Sequence, residues 1–416
     1  YYKYKIEILK DKLNYKKETE NIKDYTSFLY ESGNVSISKL ENFMRCPFSY
    51  FINYGLRAKE REVYDFSPAD YGTYCHKIFD DFFKGVFENN IDWSTIDREF
   101  IQREVEKLTA KMAEKSNFIL ESSPKYKYFS TITHKNIVES IEIMAEQVRR
   151  GNFVPTGFET EFGDKSIKPI TYTLKNGKEI KLAGKIDRID VFKGENFDFL
   201  RIIDYKSSKR DIDLNQVYAG LQLQLFVYMN AILSSNKERY KPAGLFYSDF
   251  TTNFVGFETY SKMLDMNDES YHSAKLKKNK LTGFVIKDME LLKNLDRTLD
   301  ADNLTSEILP IKLKSKGQEI GASTLGLTTD EFEIVNEFVL NKTKDICEEI
   351  YAGNIDIKPF RYKNKKPCDY CKYKSICRFD IKHNKYNNIK NLLTKDKPNE
   401  VFEKMNSENK EKRGEK

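Results

Sequence analysis

The sequence predicts an α/β fold, and three observations predict it. The hydrophobic period changes from helical to alternating near Phe158. Two hairpin signals, Asn176-Gly177 and Lys193-Gly194, punctuate the alternating part. A helical stretch then returns, followed by one more strand. Helices, antiparallel strands, a helix and a strand, in that order, form an α/β core. The 416 residues suffice for two or three domains and a sizeable core. An aromatic content of 13% argues against a disordered chain. No apolar run is long enough for a membrane-spanning helix, so no membrane role is expected. The net charge of +6 is too small to prove a nucleic-acid partner.

Residues 1–33 alternate Tyr, Lys and Ile and then turn polar, which reads as the end of an upstream region or a linker. The first residues lack both a Met and an apolar signal core, so the chain reads as cytoplasmic and as a fragment. Ser38 with Glu41 three residues later predicts a capping box, ahead of a stripe of Leu40, Phe43 and Met44. Cys46-Pro47 interrupts that helix, and Pro47 can open a short second one to Gly55. Glu60-Arg61-Glu62 reads as a solvated link. Ser67-Pro68 opens a longer helix carrying Tyr74, His76, Ile78, Phe79, Phe82 and Phe83. Residues 92–150 are helical by period, with stripes through Ile101 and Val105 and through Ile137, Ile141, Met144 and Val148.

Strands are predicted at Phe158–Phe162, Ile180–Val191 and Phe199–Lys206, a continuous helix at Leu214–Leu233, and a strand at Ala243–Phe250. Residues 260–325 read as irregular, with one strand candidate at Ile308–Leu313. A long helix is predicted from Asp330 to Ala352, ended by Gly353. Residues 394–416 are charged throughout and read as a frayed helix or a disordered tail. No Walker loop is present, since Gly184-Lys185 is followed by Ile186.

The strongest chemical signal is Gly184-Lys185-Ile186-Asp187-Arg188-Ile189-Asp190 followed by Ile203-Asp204-Tyr205-Lys206. Facing positions of a hairpin bring Asp187 and Asp204 within a few ångströms. Two carboxylates so close repel, and a divalent cation relieves the repulsion; Mg²⁺ suits oxygen ligands. Lys206, two residues after Asp204, shares its strand face and can orient a water or steady negative charge. This arrangement suits phosphodiester hydrolysis. Each carboxylate alone would read as solvated, but the apolar flanks of Asp204 demand a partner. His76 either completes a metal shell or packs in the core. Gln222 or Gln224 can hydrogen-bond substrate or Lys206, or can lie on the surface.

The six cysteines suit metal chemistry better than disulfides in so long a Lys-rich chain. Cys368, Cys371 and Cys377 form a C-x2-C-x5-C run, and Cys46, beside the helix break, is the best fourth ligand. Structural zinc and an iron–sulfur cluster both accept four thiolates. Cys75 and Cys347 lie in apolar helical stripes and read as buried hydrophobes. Lys363, Lys365, Lys366, Lys372 and Lys374 surround the trio, to offset an anionic cluster, as phosphate ligands, or as a solvated basic loop.

Several stretches now match a known pattern: Ser36 to Phe43 with Cys46 to Phe51, Tyr54-Gly55-Leu56, Gly72 to His76, Gly184 to Asp190, Asp204 to Ser207, the Gln222/Gln224 region and the Cys368/Cys371/Cys377 trio. Over nearly its whole length the chain resembles the C-terminal region of the AddB family. These are the B subunits of bacterial AddAB helicase–nucleases, whose nuclease module is of the RecB-type PD-(D/E)XK superfamily. The resemblance implies a PD-(D/E)XK, restriction-endonuclease-like core with helical insertions over 34–393, its two ends joined by a 4Fe–4S cluster on Cys46, Cys368, Cys371 and Cys377. It implies Mg²⁺ held by His76, Asp187, Asp204 and the Tyr205 carbonyl, Lys206 as catalytic lysine and Gln222 as the motif glutamine, with Gln224 the other register. It implies a DNA exonuclease acting on single strands from double-strand ends, in recombinational repair, as a heterodimer with an ATP-driven AddA-type subunit. Tyr74-Cys75, where that family more often has two aliphatic residues, departs from the pattern. Two other expectations stand beside it: a DNA-end-binding scaffold with a decayed site, and another iron–sulfur RecB-like nuclease.

Overall fold

The structure, a computed structural model, describes residues 5–7, 22–30, 33–59, 67–115, 124–163, 167–250, 268–314, 317–393 and 399–415. The Glu60-Arg61-Glu62 link and most of residues 1–21 lie outside them. Among the described residues, no helix is long and apolar enough to cross a membrane.

The centre is a mixed eight-stranded sheet. Its strands are β1 (Asn34–Ser36), β2 (Val154–Phe162), β3 (Ile170–Thr173), β4 (Glu179–Lys193), β5 (Asp198–Lys206), β6 (Tyr240–Asp249), β7 (Thr282–Ile286) and β8 (Gly326–Leu327). The main path runs β1-β4-β5-β6-β7-β8, with β2 and β3 also pairing β4. β4 pairs antiparallel with β2, β3 and β5, and β5 pairs parallel with β6. A parallel pair needs a crossover, which two helices between β5 and β6 supply.

The longer helices ahead of β2 are α1 (Ile37–Arg45), α2 (Pro68–Glu88), α3 (Arg98–Lys115) and α4 (Pro124–Arg149). The α2 start carries a capping box between Ser67 and Asp70, with Pro68 in the first turn. Its Phe79 and Phe83 are fully buried, against Tyr205 and over the Arg188 guanidinium. The predicted capping box at Ser38 does not form. α1 begins two residues earlier, with Ser36 at the N-cap position, and Glu41 turns inward to a distant helix.

The predicted helix Leu214–Leu233 is two helices, α5 (Leu214–Tyr218) and α6 (Gln224–Ser235). Gly220, at φ +77°, breaks it. A Cβ there would lie 2.9 Å from the Met44 side chain, so α1 packs where a side chain would otherwise be. Residues 260–325 hold more order than their composition suggests, including β7, which joins the main sheet. Within the candidate Ile308–Leu313, Leu313 alone is in a strand, the two-residue Leu313–Lys314 paired with Glu319–Ile320; ahead of it Pro310 lacks an N–H and Ser306 Oγ accepts the amides of Ile308 and Leu309.

After α7 (Asp268–Lys278) and α8 (Met289–Leu295), α9 (Thr329–Tyr351) begins with a second capping box, Thr328 with Glu331. Beyond the cysteine loop, α10 (Glu400–Arg413) is the helical one of the two readings of this charged segment, a frayed helix or a disordered tail. It docks on α9 through buried Val401, Met405 and Asn409, the last donating to the Ile334 carbonyl. Residues 22–30 dock near the other end of α9, where Thr26 Oγ1 donates to the Tyr351 carbonyl.

Candidate metal and nuclease site

β4 and β5 run antiparallel with Arg188 opposite Ile203, so Asp187 and Asp204 come next to each other in that register. Strand alternation puts Arg188, Asp190 and Arg201 on one face and Asp204 with Lys206 on the other. On the first face one carboxylate, Asp190, bridges the two arginines in full burial. Arg188 donates to both Asp190 oxygens at 2.6 and 2.7 Å, and Arg201 Nε donates at 2.8 Å. The structure therefore gives Asp190 a packing partner set away from Asp187 and Asp204.

Asp187 Oδ2 accepts the Tyr205 N–H at 2.8 Å and lies 3.4 Å from His76 Nδ1. The His76 ring stands edge-on to Tyr205 and Phe250, which aims it at Asp187. Asp204 is 1% exposed, and its carboxyl is pushed up to about 7, first by burial and then by the Asp187 charge. The Lys206 ammonium pairs with its Oδ2, which accepts no well-formed hydrogen bond. A desolvated carboxylate beside a second carboxylate is the donor set that a hard divalent cation stabilises.

Two residues that the sequence did not assign to the site complete the picture. The Glu159 carboxylate, on β2, has an oxygen within 4.8 Å of ligand atoms of His76 and Asp187. The flanking pairs Phe158 with Arg188 and Thr160 with Ile186 set Glu159 opposite Asp187. A register shift between Pro155 and Gly157 decides this, and no local pattern announces it. Glu41, 5% exposed, accepts the N–H groups of Leu223 and Gln224 at 2.8 and 3.1 Å. It thus satisfies orphan donors at the start of α6.

The two glutamines separate. Gln224 Nε2 donates to Asp204 Oδ1 and Tyr228 Oη, each at 2.9 Å. Gln222, expected as the motif glutamine, lies in the loop before α6. There it accepts the Asp213 N–H and donates to the Asp211 carbonyl. The helix break at Gly220 turns it away from the carboxylates. Gly184 makes room for Tyr228, since a Cβ there would meet the Tyr228 ring at 3.0 Å and Phe162 at 2.7 Å.

Cys46, Cys368, Cys371 and Cys377 border one cleft of about 1410 Å³. Burial pushes the Cys46 thiol up to about 11, and the Cys377 sulfur adds to it; burial raises Cys368, followed by Cys371 and Cys377. The backbone amides of Ser49, Phe48 and Lys358 counter that rise at Cys46. Four sulfurs close enough to perturb one another, with amides aimed at one of them, fit a centre of soft metal ions. Cys75 and Cys347 are buried in the core, with no exposed surface. The same cleft carries Arg45, Lys59, Lys209, Arg210, Lys365 and Lys366. Tyr370 stands at its edge, 93% exposed.

Residues 34–378 match the PD-(D/E)XK nuclease superfamily. Over 386 residues, 91% of this chain, it is 39% identical to the B subunit of the ATP-dependent helicase/deoxyribonuclease of Clostridioides difficile (strain 630) and covers 32% of that relative. The proteins of the same name from Caldanaerobacter subterraneus subsp. tengcongensis and Clostridium botulinum (strain Loch Maree / Type A3) are 37% and 35% identical. They match over 86% and 89% of the chain and are covered over 31% and 32% of their own length. The chain spans about a third of the length of these relatives.

Proposed function

Because the chain belongs to the PD-(D/E)XK nuclease superfamily, we propose that it is the metal-dependent deoxyribonuclease module of a helicase–nuclease B subunit. It hydrolyses phosphodiester bonds of single-stranded DNA as an exonuclease, at double-strand ends being processed for recombinational repair. Its partner is the AddA-type subunit. The observation that carries this reading is the meeting of His76 from the middle of α2, Asp187 from the middle of β4, and Asp204 and Lys206 from the C-terminal end of β5.

His76, Asp187, Asp204 and the Tyr205 carbonyl would hold Mg²⁺. When bound, that ion supplies Lewis acidity and a more nucleophilic water. Lys206, paired with Asp204 and 23% exposed, is placed to orient that water or to steady charge on a phosphate oxygen. Gln224 fixes Asp204 Oδ1 and is itself aligned by Tyr228. The basic cleft favours a phosphate backbone, and Tyr370 offers a face for stacking a base. Cys46, Cys368, Cys371 and Cys377 would carry a 4Fe–4S cluster tying the two ends of the module together.

The test is Mg²⁺-dependent cleavage of single-stranded DNA by wild type and by Asp204→Ala. If the purified chain is inactive, the pair is compared inside the assembled complex. Cleavage at equal rates would sink the reading.

A further inference from the structure

We propose that Glu159 is a further carboxylate ligand of the divalent cation, so that the protein side of the site is His76, Glu159 and Asp187 together with Asp204. The inference rests on the reading of this site as a metal centre and adds to it a residue from a third strand.

Three observations carry it. The carboxylate of Glu159, Nδ1 or Nε2 of His76 and a carboxylate oxygen of Asp187 all lie within 4.8 Å of one another. Glu159 lies between Phe158 and Thr160, whose partners Arg188 and Ile186 flank Asp187 on the neighbouring strand, so two like charges lie within 4.8 Å, which is unfavourable unless a cation offsets them. Asp204, 1% exposed, presents beside them an oxygen that accepts no well-formed hydrogen bond. Glu159 is also paired with Lys185, whose side chain is 50% exposed. The Glu159 side chain is only 20% exposed, and a pair with an outward lysine does not account for a second carboxylate turned toward Asp187. With Lys206 on Asp204, each of these two carboxylates has one lysine against it. An arriving cation takes over that charge balance and releases Lys185.

The test is Mn²⁺ binding to the purified chain without DNA, read from the electron paramagnetic resonance signal of free Mn²⁺. Glu159→Gln is expected to raise the Kd by about tenfold or more. Glu159→Asp keeps the charge but shortens the reach, and is expected to be weakened to a similar degree. Lys185→Met should bind at least as tightly as wild type, and the metal-free melting temperatures should stay close together. Wild-type affinity in Glu159→Gln, with affinity lost in Asp187→Asn, would overturn the Glu159 assignment alone. Wild-type affinity in Glu159→Asp beside a weakened Glu159→Gln would reduce Glu159 to a remote charge. Equal losses in Lys185→Met and Glu159→Gln would make the ion pair the important contact. If Asp187→Asn also binds like wild type, the metal-centre reading fails and the Glu159 assignment goes with it.

Discussion

Gln224 donates its side-chain amide to Asp204 Oδ1 at 2.9 Å. The rigid start of α6 holds it there, and Glu41 holds that start. Gln222, two residues earlier, serves a loop instead. The two glutamines should therefore respond differently to removal. Gln224→Ala should slow cleavage by about 10–100-fold, as expected for a lost hydrogen bond to a charged group at about 1.5–3 kcal/mol. Gln222→Ala should leave the chemical step nearly intact and lower stability by about 1 kcal/mol. Single-turnover kinetics with thermal melts separate the two, and the reverse ranking would reject the assignment.

The Asp204 carboxyl gives a signed pH dependence. Its folded pKa is about 7 against an unfolded value of 3.8. Between these values the native state keeps a proton that the unfolded state has lost. The stabilisation is full below the lower value and is lost as pH rises through the upper one, at up to about 1.4 kcal/mol per pH unit. Metal-free wild type should lose urea resistance from pH 5 to 8 more steeply than Asp204→Asn. Parallel curves for the two proteins would contradict this.

Glu41 is buried and accepts two backbone donors. Glu41→Ala leaves both without a partner and should cost about 2–3 kcal/mol. It should also lower the cleavage rate by displacing Gln224. Denaturant midpoints measured alongside rates test this; an unchanged midpoint rejects the capping role.

The four-cysteine centre is read by colour and elemental analysis. Protein purified without oxygen should be brown and contain iron. Colourless protein with one zinc and no iron would leave a zinc staple in place of the cluster. Cys371→Ala should lower stability by about 3 kcal/mol or more, since the bridge from Cys46 closes a loop of over three hundred residues.

Tyr370 and the neighbouring lysines test the cleft as a strand path. Tyr370→Ala should weaken single-stranded DNA binding by about 1–3 kcal/mol. Lys365→Gln with Lys366→Gln should flatten the salt dependence, by about 0.7 in log–log slope for each phosphate no longer neutralised. A salt slope identical to wild type would remove these lysines from the DNA path.

Much of the site was legible from local pattern. The Asp-x-Lys spacing at Asp204 and Lys206 puts both on one strand face whatever the fold around them. The hairpin turn at Lys193-Gly194 predicts that Asp187 and Asp204 meet, and β4 and β5 pair accordingly. The long helix read from Asp330 and the helix opened by Ser67-Pro68 both form, and the structure adds a capping box at the start of each. Where local signals competed, they misled: Ser38 with Glu41 has capping spacing, yet Glu41 serves a helix more than 180 residues away. In the same way, the charged composition after residue 394 hides Val401 and Met405, whose burial against α9 makes the segment a docked helix.

The sequence by itself offered the candidates, Asp187, Asp204, Lys206, His76 and four of the six cysteines, and the α/β order that carries them. Tertiary structure decided who joins them. Glu159 reaches His76 and Asp187 through a register shift in β2, and Gln224 rather than Gln222 reaches Asp204 because Gly220 breaks a helix where α1 approaches. Strand register and helix breaks depend on contacts between segments far apart in the chain. A pattern of neighbouring residues does not contain them.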